Sequence, residues 1–152
     1  MDREELKKIR EMRYVLQILN EKNNGNWKGT FEDIKNKVFV QHEEVIKKEN
    51  ENEAFISLID EKYPSSLKSI NQPPFVIYYN GNIELLDKNN ILGILNDNIA
   101  SSYAMNTIER ICDEVKNKCI FAISFGTVKN NALIKKLINK GAKVIAVLSK
   151  GL

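Results

Sequence analysis

Three short runs of this chain are apolar at nearly every position: residues 91–96 (ILGILN), 119–125 (CIFAISF) and 143–149 (KVIAVLS). A strand that faces water on one side alternates apolar and polar residues. A run with no polar side needs cover on both faces, which points to strands of a parallel sheet. Between the runs lie two segments with helical spacing. Residues 101–117 place Met105, Ile108, Ile111, Cys112 and Val115 on one face, and residues 128–140 do the same with Ala132, Leu133, Leu137 and Ile138. Strand and helix in alternation predict parallel βαβαβ, and right-handed crossovers put both helices on one face of the sheet. The expected fold class is α/β, half of a doubly wound parallel sheet. Residues 73–81 (PPFVIYYNG) add an extra N-terminal strand ended by Asn-Gly.

The segment before this is different. Leu6, Ile9, Met12, Val15, Leu16 and Leu19 recur at spacings of three and four, so residues 2–20 read as an amphipathic helix. Residues 21–29 (EKNNGNWKG) form a loop. Thr30 reads as an N-cap, with Asp33 at the capping-box position, for a short helix through Val38. Residues 41–49 read as another helix, 48–53 (KENENE) as a polar linker or helix end, and 54–60 as a helical turn. Residues 1–53 are thus expected to be a helical N-terminal subdomain, and 54–152 the α/β domain.

A chain of 152 residues has room for one real core. No apolar run nears the roughly 20 residues of a membrane span. The charged N-terminus, MDREELKKIREMR, has no secretory apolar stretch, so a cytoplasmic location is the expectation. Cys112 and Cys119 read as core residues, and a lone His42 beside Glu43 and Glu44 leaves no Cys/His set for zinc. No Ser/His/Asp set, paired-acid motif or P-loop is present, and neither enzymatic activity, metal nor cofactor is expected.

Charge is unevenly distributed. Residues 1–60 carry 11 Lys/Arg against 13 Asp/Glu, whereas residues 61–152 carry 12 against 7. After Glu114 there are eight lysines and no acid, a composition that attracts polyanions. Lys129, Lys135, Lys136, Lys140 and Lys143 crowd one helix and its exit and form the candidate nucleic-acid-binding patch; the competing reading is a solvated helix face. Ser124, Gly126 and Thr127 precede a helix and form a candidate anion turn, or a plain strand-to-helix turn with its cap. Tyr63, Tyr78, Tyr79 and Tyr103 suit base stacking or packing. A strand with no second half of sheet beside it offers a free edge. A homodimer, or a tight complex with a related chain, is therefore expected, burying apolar residues near Ile91, Leu92, Ile94 and Leu95 or around Val76, Tyr78 and Tyr79.

From Asp60 onward the residues resemble the DNA-processing protein A (DprA/Smf) family. The resemblance rests on Asp60, Tyr63-Pro64, Leu67, Ile70, Pro73-Pro74 and Tyr78-Tyr79-Asn80-Gly81-Asn82. It resumes at residues 100–104 and closes on Gly141 to Leu152, covering about 54–152. It implies a Rossmann-like fold, a non-catalytic role in DNA uptake or recombination, binding of single-stranded DNA, and self-association. The family also implies loading of the recombinase RecA. Where the family carries Gly-Ser-Arg after its first strand, this chain reads Asn96, Asp97, Asn98. Glycine's freedom and arginine's charge are both gone, and Asp97 repels phosphate. Three functions follow from that mixture. The first is a nucleic-acid-binding accessory protein that uses the lysines. The second is a non-catalytic protein-interaction module, of host or mobile-element origin, acting on a DprA relative, RecA or another host protein. The third is a sensor of a nucleotide-derived ligand.

Overall fold

The computed structural model describes residues 3–95 and 101–148. The chain divides into two compact units between Ile83 and Glu84. The first holds α1 (Arg3–Lys22), α2 (Trp27–Lys35), α3 (His42–Glu51), β1 (Phe55–Ser57), α4 (Ser65–Lys68) and β2 (Val76–Tyr78). After a 3-10 turn at Ile83–Asp87, the second holds β3 (Ile91–Ile94), α5 (Ser102–Val115), β4 (Ile120–Ser124), α6 (Val128–Asn139) and β5 (Lys143–Val147).

In the first unit, Leu16 of α1 packs with Phe55, Phe75 and Val76, flanked by Tyr14, Trp27, Ile34 and Leu58. The expected helical turn at 54–60 is instead β1. It pairs antiparallel with β2, Phe55 opposite Tyr78 and Ser57 opposite Val76. All three β1 residues are buried, so the run lacks the alternation that signals a strand. That pairing carries residues 54–83 into the helical unit, so the compact units meet some thirty residues after the sequence boundary at 53/54. The N-cap of α2 is Asn26, whose side chain accepts from Gly29 N–H, and not Thr30. Thr30 lies one turn inside the helix, fully buried, its hydroxyl donating to Asn26 O at 3.0 Å. Asp33 accepts instead from the Asn23 side chain at 2.6 Å. Residues 48–51 of the expected linker extend α3, which stops at Asn52 in the left-handed conformation.

The second unit is the expected α/β architecture. Its sheet has the order β3-β4-β5, all parallel, with Ile91, Ile120 and Lys143 in register. The strand at 76–78 stays outside it, paired with β1. Phe121, Ile123, Cys112, Leu133, Ile134 and Leu137 form the core beneath α5 and α6, joined by Ile94, Met105, Ile108 and Val144. Each helix starts at its own side-chain cap: Ser101 accepts from Ala104 N–H, and Thr127 from Asn130 N–H. Among the described residues, no helix is long and apolar enough to cross a membrane.

Candidate nucleic-acid interface

The tyrosine–proline signature is structural. Asp60 Oδ2 accepts from Ser57 N–H at 2.7 Å and from Ser57 Oγ at 2.9 Å, which fixes the exit of β1. Arg13 of α1 lies 3.5 Å from the same oxygen, donates to Phe55 O, and stacks over the Phe55 ring. Tyr63 is buried, its hydroxyl donating to Pro74 O at 2.7 Å, and Trp27 Nε1 donates to Pro73 O at 2.9 Å. Pro64 is fully buried. The signature therefore holds the loop between β1 and β2, and Tyr63 has no ring face free for a base. Burial pushes its phenol pKa up. Tyr78 is also engaged: its hydroxyl donates to Glu21 at 2.7 Å. Desolvation, then that hydrogen bond, hold its proton well above the ordinary tyrosine value. Tyr79 N–H donates to Ala54 O. Tyr103, at 81% exposure, is the most open of the four.

The five lysines do not form one patch. The buried stripe of α6 is Asn130, Leu133, Ile134 and Leu137. Lys136 and Lys140 flank it on the side of α5 and meet carboxylates there. Lys136 Nζ lies 2.8 Å from Glu109, and Lys140 Nζ lies 2.7 Å from Asp113 and 3.5 Å from Glu109. Asp113 also holds Lys116. Hydrogen bonds from Lys136 and Lys140 lower the carboxyl pKa values of Glu109 and Asp113 respectively. The stretch after Glu114 is free of acids, but the fold lays α5, which carries acids, beside it. Lys129 joins Ser102, Met105, Asn106, Ala132 and Leu133 in a shallow groove between the two helices. Lys135 sits on the flank of α6 turned away from these acids, and Lys143 opens β5. Both are exposed, and neither pairs with a carboxylate among the described residues.

The candidate anion turn is occupied by its own chain. Gly126 has φ +126°, a conformation that favours glycine, although a Cβ there would meet nothing within 4 Å. Its N–H donates to Asn131 Oδ1 at 3.0 Å. Phe125 N–H continues the sheet by donating to Val147 O, and Asn130 N–H goes to Thr127 Oγ1. The Asn130 amide, 3% exposed, donates to Ser124 O at 2.8 Å. Asn130 and Asn131 are thus the residues that shape this turn, and sequence reading passed over them; the signal was an Asn-Asn pair at the third and fourth positions after the cap. Asn96, Asp97 and Asn98 lie outside the described residues. The residues expected at a dimer interface divide between the units, with Tyr78 and Tyr79 on or beside β2 and Ile91, Leu92, Ile94 and Leu95 on or beside β3.

This arrangement agrees with what the chain is similar to. The family model described as DNA recombination-mediator protein A matches residues 54–152. The DNA processing protein DprA of Streptococcus pneumoniae is 25% identical over 96 residues, 63% of this chain and 34% of that protein. The X-ray structure of DNA processing protein A (DprA) from the same organism aligns with a TM-score of 0.61 at 20% identity. That alignment covers 80% of this chain and 40% of the other. At such identity the structural likeness speaks for the fold, and the chain spans about a third of the curated relative's length. With the matched stretch running from β1 to the last strand and covering well over half of the sequence, the chain belongs to the DNA recombination-mediator protein A family.

Proposed function

We propose that this protein serves DNA processing or recombination as a non-catalytic accessory factor. On this reading it contacts the backbone of single-stranded DNA through unpaired lysines of the parallel-sheet unit. The observation that carries the reading is the family match across residues 54–152. Lys135 and Lys143 support the contact, since backbone binding needs cations that no internal carboxylate already satisfies. Lys136 and Lys140 belong to the α5–α6 ion pairs, so replacing them would disturb the unit as well as any DNA site.

The test is fluorescence anisotropy of a labelled oligonucleotide at several salt concentrations. Affinity is expected to fall as salt rises. The double variant Lys135→Glu/Lys143→Glu is expected to weaken binding and to flatten the salt dependence by roughly 0.7 in log–log slope for each phosphate no longer neutralised. Unchanged binding in that variant, or none by the wild type at low salt, overturns the reading.

A second reading is favoured by the turn at Gly126, whose N–H is already taken by Asn131. In that case the unit is a protein-interaction module that acts on a longer relative or on RecA. Capture of the purified partner by a protein that ignores DNA would select it.

A further inference from the structure

β5 stands at one end of the sheet order, and its outer edge has no strand beside it among the described residues. Phe125 N–H donates to Val147 O, and Val147 lies opposite Ser124 in the parallel ladder. In such a ladder successive residues address opposite sides. Lys143, Ile145 and Val147 therefore bond toward β4, while Val144 and Ala146 present N–H and C=O outward. Natural edge strands are blunted by a proline, a bulge or a charge in mid-strand. From Val144 to Leu148 the run is Val-Ile-Ala-Val-Leu with none of these, and Ala146, Val147 and Leu148 are exposed.

The helix α6 roofs this edge. It packs on β4 and β5 and turns Lys136 and Lys140 toward α5. At about 3.6 residues per turn, Asn131, Lys135 and Ile138 fall on the flank away from α5, above the outer side of β5. Ile138 is 55% exposed there although it is apolar. The helix runs against the strands, so Ile138 stands over the start of β5 and Asn131 over its end. The seven residues between them rise about 10 Å, the length of about three strand residues. Val144 packs with the core on the helix side, so alternation puts Ile145 and the exposed Val147 on the opposite face. The edge thus offers backbone groups to pair, with apolar side chains above and below them.

We infer that this edge takes a short, extended, acidic segment of another protein, added as a fourth strand beside β5. Main-chain bonds to Val144 and Ala146 supply the affinity of such an addition, and the flanking side chains supply its selectivity. Charge sets the partner. Lys135 on the roof and Lys143 at the head of the strand have no carboxylate partner among the described residues, and the chain carries no acid after Glu114. Glu109 and Asp113 lie across α6, engaged with Lys136 and Lys140. A second copy would bring the same cations to the seam. Aspartates or glutamates alternating with β-branched residues would instead neutralise them and cover Ile138. The inference rests on the reading of this unit as a protein-interaction module, and names its surface and the chemistry of its partner.

Amide hydrogen exchange followed by NMR tests the inference, with the acetylated and amidated hexapeptide Glu-Val-Asp-Ile-Glu-Val as probe. In the free protein the Val144 and Ala146 amides are expected to exchange fast, and saturating peptide is expected to slow both at least about tenfold. The counterpart Lys-Val-Lys-Ile-Lys-Val is expected not to bind. Ala146→Pro removes one outward N–H, leaves the β4–β5 ladder whole, and is expected to weaken the acidic peptide at least about tenfold. Should that variant fail to fold, Ile138→Asn changes a side chain already more than half exposed and is expected to weaken the peptide severalfold. Both variants keep every lysine, so a labelled oligonucleotide should bind them as it binds the wild type. No binding of the acidic peptide at millimolar concentration and low salt overturns the inference, as does binding that leaves the Val144 and Ala146 amides unprotected. Equal protection by an oligonucleotide, or protection that rises with protein concentration alone, gives the edge to nucleic acid or to a second copy and overturns it too. The module reading fails separately, when the purified partner protein is not captured at all.

Discussion

Both units have an apolar core, but they place their polar contacts differently. In the first, polar groups brought in from the surface act as clamps. Asp60 gathers Ser57 and Arg13, Tyr63 ties to Pro74, and Glu21 of α1 receives both the Tyr78 hydroxyl and Lys48 of α3. In the second, an apolar layer between sheet and helices forms the core, and the ion pairs lie outside it, between α5 and α6. The clamped unit holds the residues by which the family is most easily recognised, and they serve its own architecture. The layered unit has fewer signature residues but carries the exposed Lys135, Lys143 and Tyr103. Recognisability and availability to a partner therefore lie in different parts of the molecule.

The contrast is sharpest under core truncation. Phe121→Ala removes a ring with no exposure from the centre of the sheet and is expected to cost the second unit about 4 kcal/mol. Trp27 is the single tryptophan and belongs to the first unit, so its fluorescence reports that unit alone. Helix and sheet signals of the variant should start to melt well before Trp27 responds. Coincident transitions would show the units to be one cooperative block.

Next in size is Asp60→Ala. It strands the Ser57 N–H and hydroxyl and leaves Arg13 without its carboxylate, at an expected cost of about 3 kcal/mol to the first unit. Here the Trp27 transition moves while the second unit stays put. If Asp60→Ala shifts the Trp27 midpoint in urea by less than Asn26→Ala, which removes a single helix cap, the clamp description is wrong.

How much of this was legible follows the same division. The layered unit could be read because its core is apolar: strands without a polar side and helices with one apolar stripe leave periodic traces. β3, α5, β4, α6 and β5 accordingly lie within about two residues of their expected limits. The clamps leave no such trace. β1 was missed because three buried residues are too few to show a period, and its partner lies twenty residues on. Thr30 reads as a cap because Ser and Thr are favoured at that position, but Asn is favoured there too, and Asn26, four residues earlier, has the extended backbone for it. Among the candidate binding residues, the lysines were visible but their pairing was not, since Glu109 and Asp113 reach them only across the α5–α6 seam.

The smallest expected effect concerns those pairs. Glu109 and Asp113 titrate below their ordinary values of 4.5 and 3.8, held down chiefly by Lys136 and Lys140. A folded-state carboxyl pKa below the unfolded one contributes stability that is present above the unfolded value and lost as pH falls through the folded one. The melting temperature of the second unit should therefore hold steady from neutrality to mild acid and then decline. In the variant Lys136→Met/Lys140→Met the decline should be shallower, as differential scanning calorimetry would show. An identical acid limb in both proteins would mean that the pairs contribute nothing, as many exposed pairs do.

The hydrogen bond from Gly126 to Asn131 has a kinetic and a thermodynamic side. An acceptor tethered five residues from its donor competes intramolecularly with any dissolved anion. In this structure the amide is engaged by its own chain's side chain. A visiting phosphate would have to displace Asn131 rather than fill a vacancy, and a single replacement at that position would be enough to reopen the competition.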